Sequence, residues 1–238
     1  MDNFTSTFGN PAAAAAPAER AAFIRRTYLL LAAAVAAFIG VESFFFASGI
    51  AQMIGSLLFA GGTIGWLVVL GLFMGISFLA ERWAVSETSV ATQYMGLGVF
   101  VIAEAIIFVP LLLIASYVSG DGSLIAKAGI VSVGLFAGLT ATVLITRSDF
   151  SWLGPILMIG GFAAMGFIVA SALFGFSLGN VFAFVMVAFA GSSILYQTSN
   201  VLHRFRTDQH VAASLTLFAS VALLFWYILT IFTNSERR

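Results

Sequence analysis

Of 238 residues only 8% are charged while 61% are apolar, and ten Lys and Arg balance ten Asp and Glu. A soluble globule cannot bury so much apolar surface in one core, so the chain reads as an all-α integral membrane protein whose function rests on the few polar groups inside lipid. Neutral charge and two histidines leave no basic patch for nucleic acid, and the lack of cysteine excludes disulfides, thiolate metal sites and thiol redox chemistry.

The chain opens on an Ala- and Pro-rich stretch with few large apolar residues, and Met1 to Ala18 is expected to be flexible. It is not read as a cleaved signal: Arg25 and Arg26 sit directly against a full-length apolar run, with no short apolar region and small-residue cleavage site. A spanning helix needs about 20 mainly apolar residues to cross a hydrocarbon layer roughly 30 Å thick. Seven runs qualify, at Thr27 to Ser48, Ile54 to Ala80, Thr92 to Val118, Leu124 to Thr146, Ser151 to Phe174, Leu178 to Val201 and Val211 to Phe232. They are too long and continuous for barrel strands, which run to about 10 alternating residues. The expected organisation is a tail over residues 1–26, one seven-helix bundle over 27–232 and a short C-terminal tail over 233–238.

Orientation follows the basic residues. With a cytoplasmic N-terminus, Arg20, Arg25, Arg26, Arg82, Arg147, Arg204 and Arg206 lie inside, against Lys127, Arg237 and Arg238 outside. The C-terminus then emerges on the far face, although Arg237 and Arg238 oppose that and leave a re-entrant last segment as the alternative. Gly61, Gly65, Gly71 and Gly75 on the second span, and Gly134 and Gly138 on the fourth, recur mostly at intervals of four. That spacing lets helix backbones approach closely, inside the bundle rather than across a dimer interface. Pro110 and Pro155 are candidates to kink or start helices.

Gly175-Phe176-Ser177-Leu178-Gly179 matches the G-x-S-x-G pattern of serine hydrolases, but that chemistry needs a strand, a sharp turn and a helix, with a His and an acid nearby. Here the pattern falls in a turn between the fifth and sixth spans, on the opposite face from His203 and His210. Those histidines share a loop with Arg204, Arg206 and Asp208, and a solvated loop is preferred to a metal site for want of a third ligand. No metal, cofactor or catalytic constellation is assigned. Ionisable residues within spans are different, because a carboxyl in lipid must be protonated, paired or hydrated. Glu104, twelve residues into the third span, falls about 18 Å along it and near mid-bilayer. It is a candidate proton or cation site, set against a protonated Glu bonded to a neighbouring helix. Glu42 lies nearer the outer end of the first span, where it can also reach the interface.

The run from Gly138 to Ser151, containing Thr146, Arg147, Asp149 and Phe150, resembles the fourth-span end and following loop of the Bax inhibitor family. Ile194 to His203 is similar to that family's sixth-span end, and Val211 to Leu217 to the opening of its last span. The wording Thr198-Ser199-Asn200 before a histidine is closest to the bacterial YccA-like branch, and Arg25-Arg26-Thr27-Tyr28 fits the family's first span. The resemblance runs from about Arg25 to the C-terminus and is strongest from Gly138 onward.

It implies a seven-span protein of the bacterial inner membrane, connected with stress and cell-death control, calcium leak, or modulation of the membrane protease FtsH. The leak in this family goes with two aspartates, near the sixth-span end and in the last span, which share a proton as a pH-sensitive latch. This sequence has Gln197 at the first position and aligns Ala219 with the second. Neither titrates, so a proton-gated leak of the family type is disfavoured, and Gln197 is expected to bond Ser220 or Thr216 as a neutral link. Two functions remain in view. One is a regulatory or accessory protein in the bilayer, with FtsH or associated membrane proteins as partner. The other is a calcium or proton leak channel or transporter that uses an intramembrane carboxyl.

Overall fold

A computed structural model describes residues 11–85 and 89–237. Within them the chain forms eight helices: α1 Pro17–Ser48, α2 Ile50–Ala60, α3 Gly62–Ala84, α4 Val90–Ser119, α5 Ser123–Thr146, α6 Leu153–Phe174, α7 Gly179–His203 and α8 His210–Glu236. All but α2 are long and apolar enough to cross a membrane. The helices end where the sequence lets them. Gly49, with φ of 79°, takes the left-handed cap after α1, and Gly175 does the same after α6. Ser89 caps α4 by accepting from the Thr92 N–H at 3.0 Å.

Three boundaries differ from the expected ones. The second apolar run is two helices, because Gly62, the first residue of α3, takes φ of 53° and turns the chain out of the line of α2, inside a run that is apolar as a whole. Helix α1 starts at Pro17, ten residues before Thr27, since proline is pre-set for a helix's first turn and Glu19 favours its positive end. Helix α8 continues past Phe232 to Glu236. The expected flexible tail falls partly on residues 1–10, outside the described residues. Beyond them, Ala12 is fully buried and donates its N–H to the Phe205 carbonyl at 2.8 Å.

Helices α4 and α8 form the centre, and α8 packs on α1, α3, α4, α5 and α7. Without water to drive helices together, the bundle is held by close contact and by rings. Phe108 of α4 is the hub: its ring lies 5.1 Å from Phe38 of α1, 5.0 Å from Trp226 and 5.6 Å, stacked, from Phe225 of α8. Two turns away, Phe100 meets Phe218 at 6.0 Å and Phe73 of α3 at 6.2 Å. Helices α3 and α6 lie at the rim, with side chains such as Ile64 and Phe162 turned outward.

The glycine expectation is corrected. A Cβ at Gly65, Gly71, Gly75, Gly134 or Gly138 would meet nothing within 4 Å, and one at Gly61 would meet only its own segment at Gly65. These glycines line outward or open faces. Close approach occurs instead at Gly96, where a Cβ would lie 2.6 Å from the Ala80 carbonyl oxygen, and at Gly55 against Leu113. A repeat of four reveals a small face but not which way that face points.

Candidate functional site

The polar residues singled out from sequence fall in separate places. On α4, Glu104 is buried one turn from Phe100 and one turn from Phe108, and so belongs to the aromatic centre among α1, α3, α4 and α8. Among the described residues nothing hydrogen-bonds or ion-pairs with it. Glu42 of α1, also buried, lies one turn beyond Phe38. Phe38 and Phe108 touch and both helices run the same way, so the two carboxyls stand about two turns apart, roughly 11 Å along the axis. They make no shared site.

The expected link from Gln197 to Ser220 or Thr216 is replaced by two others. Ser193 and Ser220 pair through their hydroxyls at 2.8 Å, joining α7 to α8, and Ser220 also donates to the Thr216 carbonyl at 3.0 Å. Gln197 lies one turn further along α7 and accepts from Asn200 Nδ2 at 3.3 Å, within its own helix. Thr216 turns its hydroxyl to the Ala213 carbonyl. Serine on both helices makes the short cross-link, while a long amide is free to satisfy itself locally.

Around Gln197 the structure gathers a set of neutral polar groups that sequence reading did not assemble. The Tyr28 hydroxyl of α1 faces Thr198 of α7 and Thr140 of α5. Yet the side-chain oxygens of Tyr28, Thr27, Thr140 and Thr198 and Asn200 Oδ1 are buried and have no hydrogen-bond partner among the described residues. Ser214 of α8 joins the set by donating to the Thr27 carbonyl at 2.8 Å. Buried oxygens of this kind are normally satisfied by water or a bound group. No member is charged. Hydroxyls are common in spans, so nothing in their spacing marks them out; only the convergence of α1, α5, α7 and α8 does.

The motif loop lies at the same end. Arg147, exposed and with φ of 53°, closes α5 by donating its N–H to the Val143 carbonyl at 2.8 Å. Asp149 Oδ1 accepts from the Ser151 N–H at 2.8 Å and from the Ser199 hydroxyl at 3.4 Å, while Ser199 accepts from the Phe150 N–H at 2.9 Å. The Ser151 hydrogen bonds and, less strongly, the nearby His203 hold the Asp149 carboxyl below the usual aspartate range. Asp149 thus fastens the loop between α5 and α6 to the end of α7, and Ser199 is a structural partner that sequence reading left out. Next to it, Arg206 pairs with Asp208 at 3.1 Å, and Thr207 donates to Glu19 of α1 at 2.6 Å. Together with the bond from Ala12 to Phe205, these contacts tie the N-terminal segment to the loop between α7 and α8. The G-x-S-x-G segment forms the turn between α6 and α7 at the opposite end, away from His203 and His210.

Comparison with known proteins agrees with this architecture. The Bax1-I family, described as inhibitor of apoptosis-promoting Bax1, matches residues 20–237. An uncharacterized protein of Pseudomonas aeruginosa is 31% identical over 173 residues, which cover 69% of this chain and 72% of its own. Bax inhibitor 1 of Schizosaccharomyces pombe is 27% identical over 97% of this chain and 82% of its own. A protein of Escherichia coli named modulator of FtsH protease YccA is 28% identical over 72% of this chain and 75% of its own. With seven apolar helices and a family match that reaches from the start of α1 to the end of α8, this chain belongs to the Bax inhibitor family of multi-pass membrane proteins.

Proposed function

We propose that the protein is an accessory subunit of the bacterial inner membrane, N-terminus in the cytoplasm, that binds and modulates a membrane protease of the FtsH type. One observation carries this reading: the place where a titrating latch is expected holds Gln197 with Asn200 and Ser193 with Ser220, none of which changes charge. A bundle closed by neutral hydrogen bonds has no proton switch there, whereas recognition of a partner needs none. The name of the Escherichia coli relative, and those of relatives called inhibitors, favour a modulator over an enzyme. The basic bias supports a cytoplasmic face for the fastened loops, with Arg147, Asp149, Arg206 and Asp208, where a protease domain could reach them. Mild detergent extraction followed by quantitative mass spectrometry tests the proposal. The protease should be enriched over its level with an unrelated seven-helix protein, and equal recovery with both would remove the reading.

A second reading, a calcium or proton leak, draws on Glu104, a buried carboxyl with no partner among the described residues. Flux into proteoliposomes of the pure protein, abolished by Glu104→Gln, would favour it.

A further inference from the structure

A cavity of about 830 Å³ opens between α1, α4, α5 and α8, in the half of the bundle away from the start of α1. Its size is that of a small-molecule site. The wall is made of Val35, Phe38, Leu112, Ile125, Phe218 and Phe225, with other apolar side chains. Among the described residues Glu42 is the one ionisable residue in the lining, which holds no Lys, Arg or His. Glu42 is 7% exposed, and both its carboxyl oxygens are buried with no hydrogen-bond partner among the described residues. Of the serines in the lining, Ser132 already donates to the Ala128 carbonyl of its own helix at 2.7 Å.

The cavity owes its room to α5. Gly129 and Gly134 stand in its wall, and a Cβ at either would meet nothing within 4 Å. Helices α1 and α5 both pack on α4 and α8 but make no extensive contact with each other. Along that seam Ile39, Ile130 and Val133 are 57%, 74% and 60% exposed, on a surface that faces lipid. Entry is therefore from the side, out of the bilayer, rather than along the bundle axis.

We propose that this cavity binds a lipophilic monocation, an amphiphile with an ammonium head and an alkyl or aryl body. The ammonium N–H groups bond the two Glu42 oxygens, and the body lies against the apolar wall. A metal ion does not suit a single carboxyl without further ligands, and no group of three metal-binding side chains occurs among the described residues. A fatty acid or anionic lipid brings no positive group for Glu42 to pair with, and a neutral alkyl chain would leave its oxygens unmatched.

Radiolabelled dodecylammonium is the probe, with the full chain in nanodiscs and empty nanodiscs in parallel. The proposal expects saturable binding above the empty discs, weakened at least tenfold by Glu42→Gln, and displaced by tetradecylammonium but not by dodecanol or dodecanoate. Gly129→Phe, which fills the cavity from α5 and leaves Glu42 in place, should abolish binding as well, so the test stands even where the Glu42 variant does not fold. Non-saturable uptake equal to that of empty discs would overturn the proposal. So would binding that survives both substitutions, or dodecanol competing as well as tetradecylammonium, which would mark a site that does not need the positive charge.

Discussion

Gly96→Ala is the sharpest test of how the bundle is packed. The added methyl would lie 2.6 Å from the Ala80 carbonyl oxygen, 3.0 Å from the Ala84 backbone nitrogen and 3.0 Å from Trp83 Cβ. Two of these are backbone atoms in the last turns of α3, so no side chain can rotate away and the helices must separate by several tenths of an ångström. Overpacking of this kind costs about 1–3 kcal/mol, more than the 0.5–1 kcal/mol or so that alanine returns over glycine within a helix. Gly75→Ala is the matched control, because a Cβ there meets nothing within 4 Å. Thermal unfolding in detergent, followed by circular dichroism, should show Gly96→Ala lowered on the order of 5 °C and Gly75→Ala unchanged or slightly raised. Equal midpoints for the two variants would refute the assignment of Gly96, rather than the outward glycines, to the contact of α3 with α4.

The motif loop should respond to acid in a set direction. The carboxyl of Asp149 is held below its ordinary value, so its grip on the Ser151 N–H is complete above about pH 4 and is lost as pH falls through the depressed value. Amide exchange at Ser151 should therefore be slow at neutral pH and faster in acid, and Asp149→Asn should show faster exchange already at pH 7. Ser199→Ala leaves the Phe150 N–H without its acceptor and should lower stability by about 1–2 kcal/mol in detergent unfolding. Glu19→Gln exchanges the carboxylate acceptor of the Thr207 hydroxyl for an amide, and should raise proteolysis of the N-terminal segment while the α-helical signal stays constant. A reporter fused after Arg238 should behave as external, since seven crossings put the two ends on opposite faces; a cytoplasmic response would favour a re-entrant last segment.

The spanning helices were legible because length and hydropathy are local properties of the chain, and five of the seven runs lie within a few residues of their helices. The break at Gly62 was not, because a change of backbone direction inside an apolar run leaves hydropathy untouched. Glycine spacing misled for a related reason: Gly71 and Gly75 look the same in sequence whether they face a helix or lipid, and only the position of α3 at the rim decides. Charge made Glu42 and Glu104 conspicuous, but not that Phe38 and Phe108 keep them apart. The hydroxyls of Tyr28, Thr140 and Thr198 carry no such signal, since each is unremarkable in its own helix and becomes a site only when three helices bring them together. Ser193 took the link expected of Gln197 because two short side chains fit between α7 and α8 where the amide turned to Asn200.

The most direct measurement is degradation of a membrane substrate by a purified FtsH-type protease in liposomes, with and without this protein, at pH 6 and pH 8. A modulator closed by neutral hydrogen bonds predicts a changed degradation rate whose ratio to the protease alone is the same at both pH values. An unchanged rate, together with pH-gated calcium flux through the same liposomes, would contradict both the proposed role and the neutral latch.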